Sequence, residues 1–355
     1  MISFGFVTIN DRQEIDYSTE IAKRAERYGI TVFRFTPLDI DPLTEKARGW
    51  QFHAATQSWT ESVFAIPAFL YDRCFYRADE RSKKSKPIMQ WLKQRPDITF
   101  LGYGFPSKWE LYKKLIDHPL LSHYVPKTTL LRSPTDLLHM IRKEKSVICK
   151  PEHGSRGQGI YVVKQVEGHL HILDTNGQTI ATIKRKTDLQ QWVETLLRRS
   201  SYLIQPFLPL KTKQNDPFDV RFFFQKNEYG QWSERGRGIR VGAPGTIIAN
   251  VSAGASISGF SEWFKQIPAP QRLFITDGIE TITTVLPSYL EEKFGPLFEL
   301  GLDLGITEEG AVWLIDVNSK PGRKIITALA PEKRDTIYEA PLRYCLFLAN
   351  GVNVR

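Results

Sequence analysis

The sequence predicts a mixed α/β protein with more than one lobe, and three observations carry the prediction. Apolar β-branched runs alternate with helical patterns near the start, a glycine-rich loop joins two strands at 146–163, and an apolar hairpin fills 298–318. The chain has 355 residues, whereas a single hydrophobic core stops growing at about 250–300 residues. We therefore expect an α/β (α+β) chain with two or three domains or lobes.

The apolar pattern predicts the order of the elements. In the first part of the chain strands and helices alternate, which is typical of a parallel sheet covered by helices. The turn at 10–13 contains no glycine, so a dinucleotide site is not expected there. A composition shift at 102–106 predicts that the first domain covers 1–105. The expected strands are 2–9, 30–35, 63–73, 98–101 and 202–208, with a hairpin at 169–183 and helices at 18–28, 86–94, 108–116, 134–143 and 188–199.

The composition is that of an ordinary soluble protein. Hydrophobic residues make up 41% and charged residues 25%, and no apolar run approaches the roughly 18–20 residues that span a membrane. The first residues lack a basic segment and a small-residue cleavage site, so no secretory signal is expected. Cys74, Cys149 and Cys345 are widely scattered and show no metal-binding spacing. This usage favours a reducing compartment and predicts a cytoplasmic protein without a membrane partner.

The net charge of +9 raises the question of a polyanionic partner. Basic residues cluster at 81–86, at 184–186 and at 235–240. For the first two clusters a solvated surface is the simpler interpretation, and no nucleic-acid-binding module is recognisable. We therefore expect no nucleic acid as partner. A nucleoside triphosphate or an acidic substrate explains a basic cleft more economically.

The glycine-rich loop follows a β-branched run that ends in Lys150. Glycines at 154, 157 and 159 leave room for backbone N–H groups to turn toward an anion. Because the loop leads into the apolar run 160–163 and not into a helix, it is neither a P-loop nor a dinucleotide fingerprint. We interpret it as a lid over phosphates that Lys150 also reaches. This stretch alone leaves open a glycine-rich hairpin without any ligand.

The hairpin near the end carries acidic and amide side chains. If its turn centres between Glu309 and Gly310, Asp303 lies across from Asp316, and Asn318 shares a strand face with Asp316. Like charges at this separation repel, and a cation between them removes the repulsion. Oxygen ligands favour Mg²⁺ bound together with substrate phosphates. The alternative is a hairpin whose acidic face lies in water, although the neighbouring Leu, Ile, Val and Trp residues argue against it.

Between the loop and the hairpin lies a second polar group. Asp219 and Arg221 share one face of a predicted strand, and Arg240 is expected on a neighbouring strand. Guanidinium groups suit phosphate and developing oxyanions. With Lys150 and a metal ion, Arg221 would form a phosphate pocket, whereas alone it would be half of a surface ion pair. Ser-His-Asp and Cys-His signatures are absent from the sequence, and the histidines lack metal-ligand spacing.

The order of these motifs over 108–323 resembles the ATP-grasp superfamily. The segments 67–73 and 318–323 look closer still to the endospore coat-associated YheC/YheD family, which implies a spore-forming, Bacillus-like source and location in the cytoplasm or the spore coat. The resemblance implies two α+β lobes that sandwich ATP, preceded by a small Rossmann-like pre-ATP-grasp α/β domain. It divides the chain into 1–105, a lid-bearing lobe at 106–204, a metal-binding lobe at 205–345 and a tail at 346–355. The matching features are a lysine helix, Lys150 before the glycines, Gln205-Pro206, Asp219-x-Arg221, a loop with Asn250, and Asp303 followed by Asp316-x-Asn318-x-x-Pro321-Gly322.

The resemblance also implies roles for individual residues. Phosphates would contact Lys108, Lys150 and Arg221 beneath a lid that includes Gly154, Ser155, Gly157 and Gly159. The backbone around Gln205, Phe207 and Leu208 would line the adenine slot, and Asp303, Asp316 and Asn318 would hold Mg²⁺, with Mn²⁺ as the alternative. Arg240, Asn250 and Lys150 would serve catalysis, and Lys320 and Arg323 would bind the second substrate. The family commonly has Glu where this chain has Asp316, and often has glycine where it has Phe218.

The reaction implied by the resemblance is carboxylate activation. ATP phosphorylates a carboxylate, an amine attacks the acyl phosphate, and an amide forms with release of ADP and phosphate. The partners would be ATP and small-molecule or peptide carboxylates and amines, and a homodimer stays open. Two alternatives remain at this point: a spore-coat structural or ATP-binding protein without turnover, and a kinase that stops after phosphoryl transfer.

Overall fold

A computed structural model of the protein describes residues 2–77, 79–154, 157–249 and 254–351. Within these ranges the chain forms three β-sheets, each with its own set of covering helices. Of the described helices, none is both long and apolar enough to cross a membrane. Cys74, Cys149 and Cys345 are buried and free.

The N-terminal sheet has the parallel centre that the sequence predicts. β1 pairs in parallel with β2 and β6, and β6 with β7. The strand order is β3-β4-β2-β1-β6-β7, with β5 paired to β4 at the edge. The elements are β1 (Ile2–Val7), α1 (Ile15–Ala25), β2 (Ile30–Phe35), β3 (Ile40–Asp41), β4 (Lys46–His53), β5 (Ser58–Ala65), β6 (Phe69–Asp72), α2 (Glu80–Gln94) and β7 (Thr99–Phe100).

Two predictions for this region were wrong in detail. The expected strand 63–73 is two strands, because β5 ends at Ala65 in an antiparallel hairpin with β4 and Pro67 offers no N–H to continue a ladder. The helix expected at 86–94 begins at Glu80. Its first turn is capped by the side chain of Asp79, which accepts a hydrogen bond from the N–H of Ser82 at 2.7 Å.

The second sheet carries the glycine-rich loop and is antiparallel throughout. Its strand order is β12-β11-β10-β9-β13-β8, and the helices α4 and α5 pack on it through an apolar core. The loop joins β9 to β10, as predicted. The elements are α3 (Lys108–Ile116), β8 (Thr129–Leu131), α4 (Pro134–Glu144), β9 (Ser146–Pro151), β10 (Tyr161–Val166), β11 (His169–Leu173), β12 (Thr179–Ile183), α5 (Lys186–Arg199) and β13 (Tyr202–Pro206).

The third sheet contains the predicted acidic hairpin. Its order is β16-β15-β14-β17-β18, and a long helix, α7, covers it with an apolar face. α3 packs on this core through Leu111 and Leu115, although the sequence assigns it to the lid-bearing lobe. The elements are β14 (Phe218–Lys226), β15 (Trp232–Val241), β16 (Ser256–Gly259), α6 (Phe260–Lys265), α7 (Ala269–Phe294), β17 (Glu299–Ile306), β18 (Val312–Asn318), α8 (Lys324–Leu329) and α9 (Arg334–Ala349).

The last helix closes the molecule on its first sheet. Leu342, Tyr344 and Cys345 of α9 are fully buried in one cluster with Phe4 and Phe6 of β1. Residues 346–349, which the sequence places in a tail, are the last turn of α9. The core of the N-terminal sheet is thus completed by residues from the far end of the chain.

Candidate functional site

A cavity of about 710 Å³ lies between the second and third sheets, with the N-terminal sheet at one end. The glycine-rich loop and β9 form one wall, and the strands of the third sheet form the other. Glu14 and Arg73 reach it from the N-terminal region. The predicted site residues that line it are Lys108, Lys150, Gly154, Gly157, Gln205, Phe207, Leu208, Arg221, Arg240, Asp303, Asp316, Asn318, Lys320 and Arg323.

Of the remaining predicted residues, two are not described by the structure and one lies away from this cavity. Ser155 and Asn250 lie outside the described residues. Gly159 does not line this cavity but turns toward the body of its own sheet, where an added Cβ would stand 3.0 Å from the Tyr202 hydroxyl oxygen. Gly157 and Gly159 both have positive φ, 72° and 71°, which a residue with a side chain rarely adopts. The turn back into β10 therefore depends on both glycines.

Two lysines face the cavity from neighbouring elements. Lys150 stands near the end of β9, and Lys108 is the first residue of α3. The Nζ of Lys108 lies 3.1 Å from Oδ1 of Asp316 on the opposite wall. Burial and the Lys108 ammonium lower the pKa of Lys150 to about 8, although Asp316 and Asp303 act in the other direction. An anion entering here would find two cationic groups on one side.

The wall beside β13 is apolar, as a slot for a planar base requires. Ile148, Phe207, Leu208 and Leu210 line it. The side chain of Gln205 turns away, since its Nε2 donates to Oγ1 of Thr128 at 2.7 Å. The Gln205 amide nitrogen is thereby engaged within the protein, and the predicted role of this segment's backbone in an adenine slot stays a prediction.

The opposite wall holds two carboxylates and two guanidinium groups. Arg240 lies on the neighbouring strand, as the sequence predicts, directly across from Asp219, and Arg221 lies across from Asp303. Arg240 donates two hydrogen bonds of 2.6 Å to Asp219 and also lies 2.9 Å from Asp303, which Arg221 chelates. Burial disfavours the Asp303 carboxylate, yet the two arginines lower its pKa below the ordinary value. The network therefore balances its charges and holds both arginines rigidly.

The acidic hairpin pairs the two predicted carboxylates, since Asp303 lies across from Asp316. The pairs nearer the turn centre on Glu309, and a bulge accommodates Ile315 as the extra residue between Leu314 and Asp316. Asn318 shares the face of Asp316, and its Nδ2 donates to Oδ2 of Asp316 at 3.2 Å. The three side chains thus converge on one wall of the cavity.

The sequence missed the N-terminal contribution to the cavity. Arg73, which is 1% exposed, hydrogen-bonds to Glu299, to Glu14 at 3.2 Å and to the carbonyl of Pro321 at 3.2 Å. Arg323 donates to Glu14 at 2.6 Å. Asp72 ends a central parallel strand and Arg73 directly follows it, and ligands bind at that edge of open sheets, so their position was the available signal. Glu14 gave none, because its place depends on a backbone φ of 56°.

A known family covers most of the residues that line this cavity. A family model described as YheC/D-like ATP-grasp matches residues 97–348. The chain belongs to this family. Over 352 residues it is 39% identical to the endospore coat-associated protein YheC of Bacillus subtilis (strain 168), covering 98% of this chain and 96% of that protein. The resemblance drawn from the motifs is confirmed.

Solved structures share the ATP-grasp fold. D-alanyl-alanine synthetase A from Vibrio cholerae O1 biovar eltor str. N16961 has a TM-score of 0.56 at 11% identity, covering 97% of this chain and 98% of that chain. The ATP-grasp ligase PsnB, complexed with minimal precursor, has a TM-score of 0.54 at 15% identity, covering 97% and 99%. At such identities the likeness shows the fold alone, and it confirms the predicted α/β ATP-grasp fold.

The ATP-grasp family implies a magnesium ion, and the donor set of the hairpin fits one. Asp316 and Asn318 offer hard oxygens to the cavity, while both oxygens of Asp303 are shared with Arg221 and Arg240. The described parts of the chain contain no cluster of three or more His, Cys, Asp and Glu side chains suited to a metal, so the hairpin set depends on the amide oxygen of Asn318 as well. The magnesium ligands stay a prediction, with Asp316 and Asn318 as the accessible pair.

Proposed function

We propose that this protein is an ATP- and Mg²⁺-dependent carboxylate–amine ligase that acts through an acyl phosphate. The observation that carries the proposal is the single cavity in which Lys108 and Lys150 face the arginine and carboxylate network of the third sheet. One wall supplies an apolar slot and cations for a nucleotide, and the other supplies cations and oxygen ligands where phosphoryl transfer would occur. This arrangement suits positioning and charge neutralisation, which are what phosphoryl transfer asks of a protein.

The reaction proceeds in two displacements. A carboxylate oxygen of the first substrate attacks the γ-phosphorus of ATP, the bond from that phosphorus to the β–γ bridging oxygen breaks, and ADP leaves with the electron pair. The amine nitrogen of the second substrate then attacks the acyl carbon. The bond from this carbon to the phosphate oxygen breaks, phosphate leaves, and the nitrogen loses a proton. No covalent enzyme intermediate is needed, so a nucleophilic side chain is not required.

The role proposed for each residue follows from its position in the cavity. Lys150 and Lys108 bind the phosphates from one side, and Arg240 and Arg221 meet the transferred phosphoryl group from the other. Asp219 and Asp303 hold the two guanidinium groups in place. Bound at Asp316 and Asn318, Mg²⁺ would neutralise charge on the phosphates. The glycine loop would exclude water from the acyl phosphate, since an open site would allow its hydrolysis.

A second candidate is a coat-associated protein that binds ATP without turnover. The name of its Bacillus subtilis relative supports association with the spore coat. A kinase that stops at the acyl phosphate is the third. The three candidates differ in their products. The ligase yields an amide and ADP, the ATP-binding protein without turnover yields no ADP, and the kinase yields a phosphorylated acceptor and ADP.

The test is a product assay with purified protein, ATP, Mg²⁺ and pools of amino acids and peptides. We expect ADP and a new amide by mass spectrometry, and a hydroxamate when hydroxylamine replaces the amine, because hydroxylamine traps acyl phosphates. Lys150→Ala should abolish ADP formation, whereas Lys113→Ala, on the exposed side of α3, should not. Absence of ADP with every pool, together with ATP binding that Lys150→Ala leaves intact, would refute the ligase.

A further inference from the structure

The cavity carries more positive charge than a nucleotide needs. Ten cationic and four anionic side chains of the described residues line it. MgATP brings about two net negative charges. Four positive charges would remain after ATP has bound, and Lys320 and Arg323 are among the cations that line the cavity, with Arg323 paired to Glu14 of the N-terminal region. The carboxylate substrate is therefore expected to carry negative charge beyond its reacting group.

The positive charge continues out of the cavity along a defined path. Lys320 donates to Asp72 at 2.6 Å, and the other oxygen of Asp72 lies 3.2 Å from Lys93, so one carboxylate serves two ammonium groups. The Nζ of Lys320 also lies over the ring of Tyr76, 5.7 Å from its centroid. Lys86 of α2 lies over the same ring at 5.6 Å. One aromatic ring thus separates the cavity lysine from the surface of α2.

The first half of α2 extends this positive surface. Arg81, Lys84 and Lys86 are exposed, and none of them has an ion-pair partner among the described residues. Arg77, just before the helix, is exposed as well. The run 81–86 extends about 8 Å along the helix, which exceeds the reach of a single amino acid held in the cavity. A ligand that neutralises this surface and also enters the cavity must be an extended polyanion.

We propose that the acceptor of this ligase is an acidic polypeptide. Its reacting carboxylate enters past Lys320, and its neighbouring carboxylates lie along Tyr76 and the basic residues of α2. This inference rests on the proposed function and names its substrate class. It favours a peptide over a nucleic acid because the reaction consumes a carboxylate, a group that peptides carry and nucleic acids do not.

The test separates binding from turnover. A fluorescein-labelled oligoglutamate peptide is titrated with the full chain by anisotropy, and ADP release is measured with the unlabelled peptide and an amine. The variant is Arg81→Glu/Lys84→Glu/Lys86→Glu. Its matched control is Lys184→Glu/Lys186→Glu/Arg199→Glu. This variant reverses three exposed charges on or just before α5, which packs on the second sheet, and none of the three residues lines the cavity.

We expect the α2 variant to raise the KM for the peptide at least about tenfold, from three exposed charge contacts of about 0.5 kcal/mol each. The KM for ATP and kcat should stay unchanged, and high salt should remove the difference from wild type. Equal peptide binding by both variants, or tighter binding of single-stranded DNA than of oligoglutamate, would overturn the proposal. ADP formed with small monocarboxylates but not with oligoglutamate would overturn the proposal of a peptide acceptor and would still support the ligase. Peptide binding without ADP from any carboxylate would refute the ligase instead, and the acceptor role with it.

Discussion

The unusual acidity of Lys150 gives a test of nucleotide binding that needs no second substrate. Burial and Lys108 lower the pKa of Lys150 to about 8, whereas the pKa of an exposed lysine is about 10.4. Phosphate oxygens placed against the ammonium favour the charged form and raise this pKa again. At pH values where Lys150 of the free protein is neutral, ATP binding should therefore be accompanied by uptake of a proton by Lys150.

The size of the effect follows from linkage. At pH 8 about half of the Lys150 side chains are neutral, so binding should take up about half a proton, rising toward one proton at pH 9.5. Above pH 8 the apparent Kd should weaken about tenfold per pH unit, because only the charged form binds well. The nucleotide does not titrate there, since phosphate monoesters lose their second proton at about pH 6.

Calorimetry with a non-hydrolysable ATP analogue, in buffers of different ionisation enthalpy, measures both quantities. Lys150→Arg should remove the pH dependence, because a guanidinium group stays charged throughout. Lys150→Met should weaken binding at every pH below 8, and Lys113→Met, on the exposed side of α3, should change nothing. A flat Kd between about pH 7.5 and 9.5 with no proton uptake would refute the placement of Lys150 at the phosphates.

Two further predictions concern closure and stability. Gly177→Ala should weaken ATP binding, because the added Cβ would lie 2.2 Å from the carbonyl oxygen of Gly245, on the other side of the cavity. Gly168→Ala is the matched control, since Gly168 also has a positive φ but open space where the added Cβ would lie. It should cost only about 1 kcal/mol of folding free energy and leave ATP binding unchanged. Equal nucleotide affinity of the two variants would show that the close approach of Gly177 to Gly245 does not matter for closing the cavity around ATP. Arg73→Met should destabilise the fold by about 3–5 kcal/mol in urea unfolding, since it leaves buried Glu299 without its partner. Adding Glu299→Gln should recover most of that loss, and failure to recover any would place the cost in packing.

The parts of the site that the sequence predicts are those set by local periodicity. The alternation of strand residues places Asp219 and Arg221 on one face, a relation that needs only the neighbouring residues. The hairpin predicts that Asp303 and Asp316 meet, although the exact pairing also depends on a bulge at Ile315 that the sequence does not indicate. The strand before and the strand after the glycine loop are predicted for the same reason.

Long-range relations escape such arguments. Arg73 meets Glu299 across 226 positions of the chain, and no periodicity in either segment indicates the other. The partners of Asp303 escaped likewise, since nothing in the sequence indicates that β17 pairs with β14 and so brings Arg221 and Arg240 to the Asp303 carboxylate. β4 and β5 were missed because their largely exposed residues lack the apolar alternation of a buried strand.

The packing of α9 on the first sheet has a consequence for biosynthesis. β1 leaves the ribosome long before Tyr344 and Cys345, which bury it, because more than 330 residues separate them. Phe4 and Phe6 must therefore wait through the synthesis of all these residues with part of their apolar surface uncovered. A nascent chain halted before α9 would expose this surface and would be a substrate for chaperones, while the second sheet, whose core lies between 131 and 204, could already be folded.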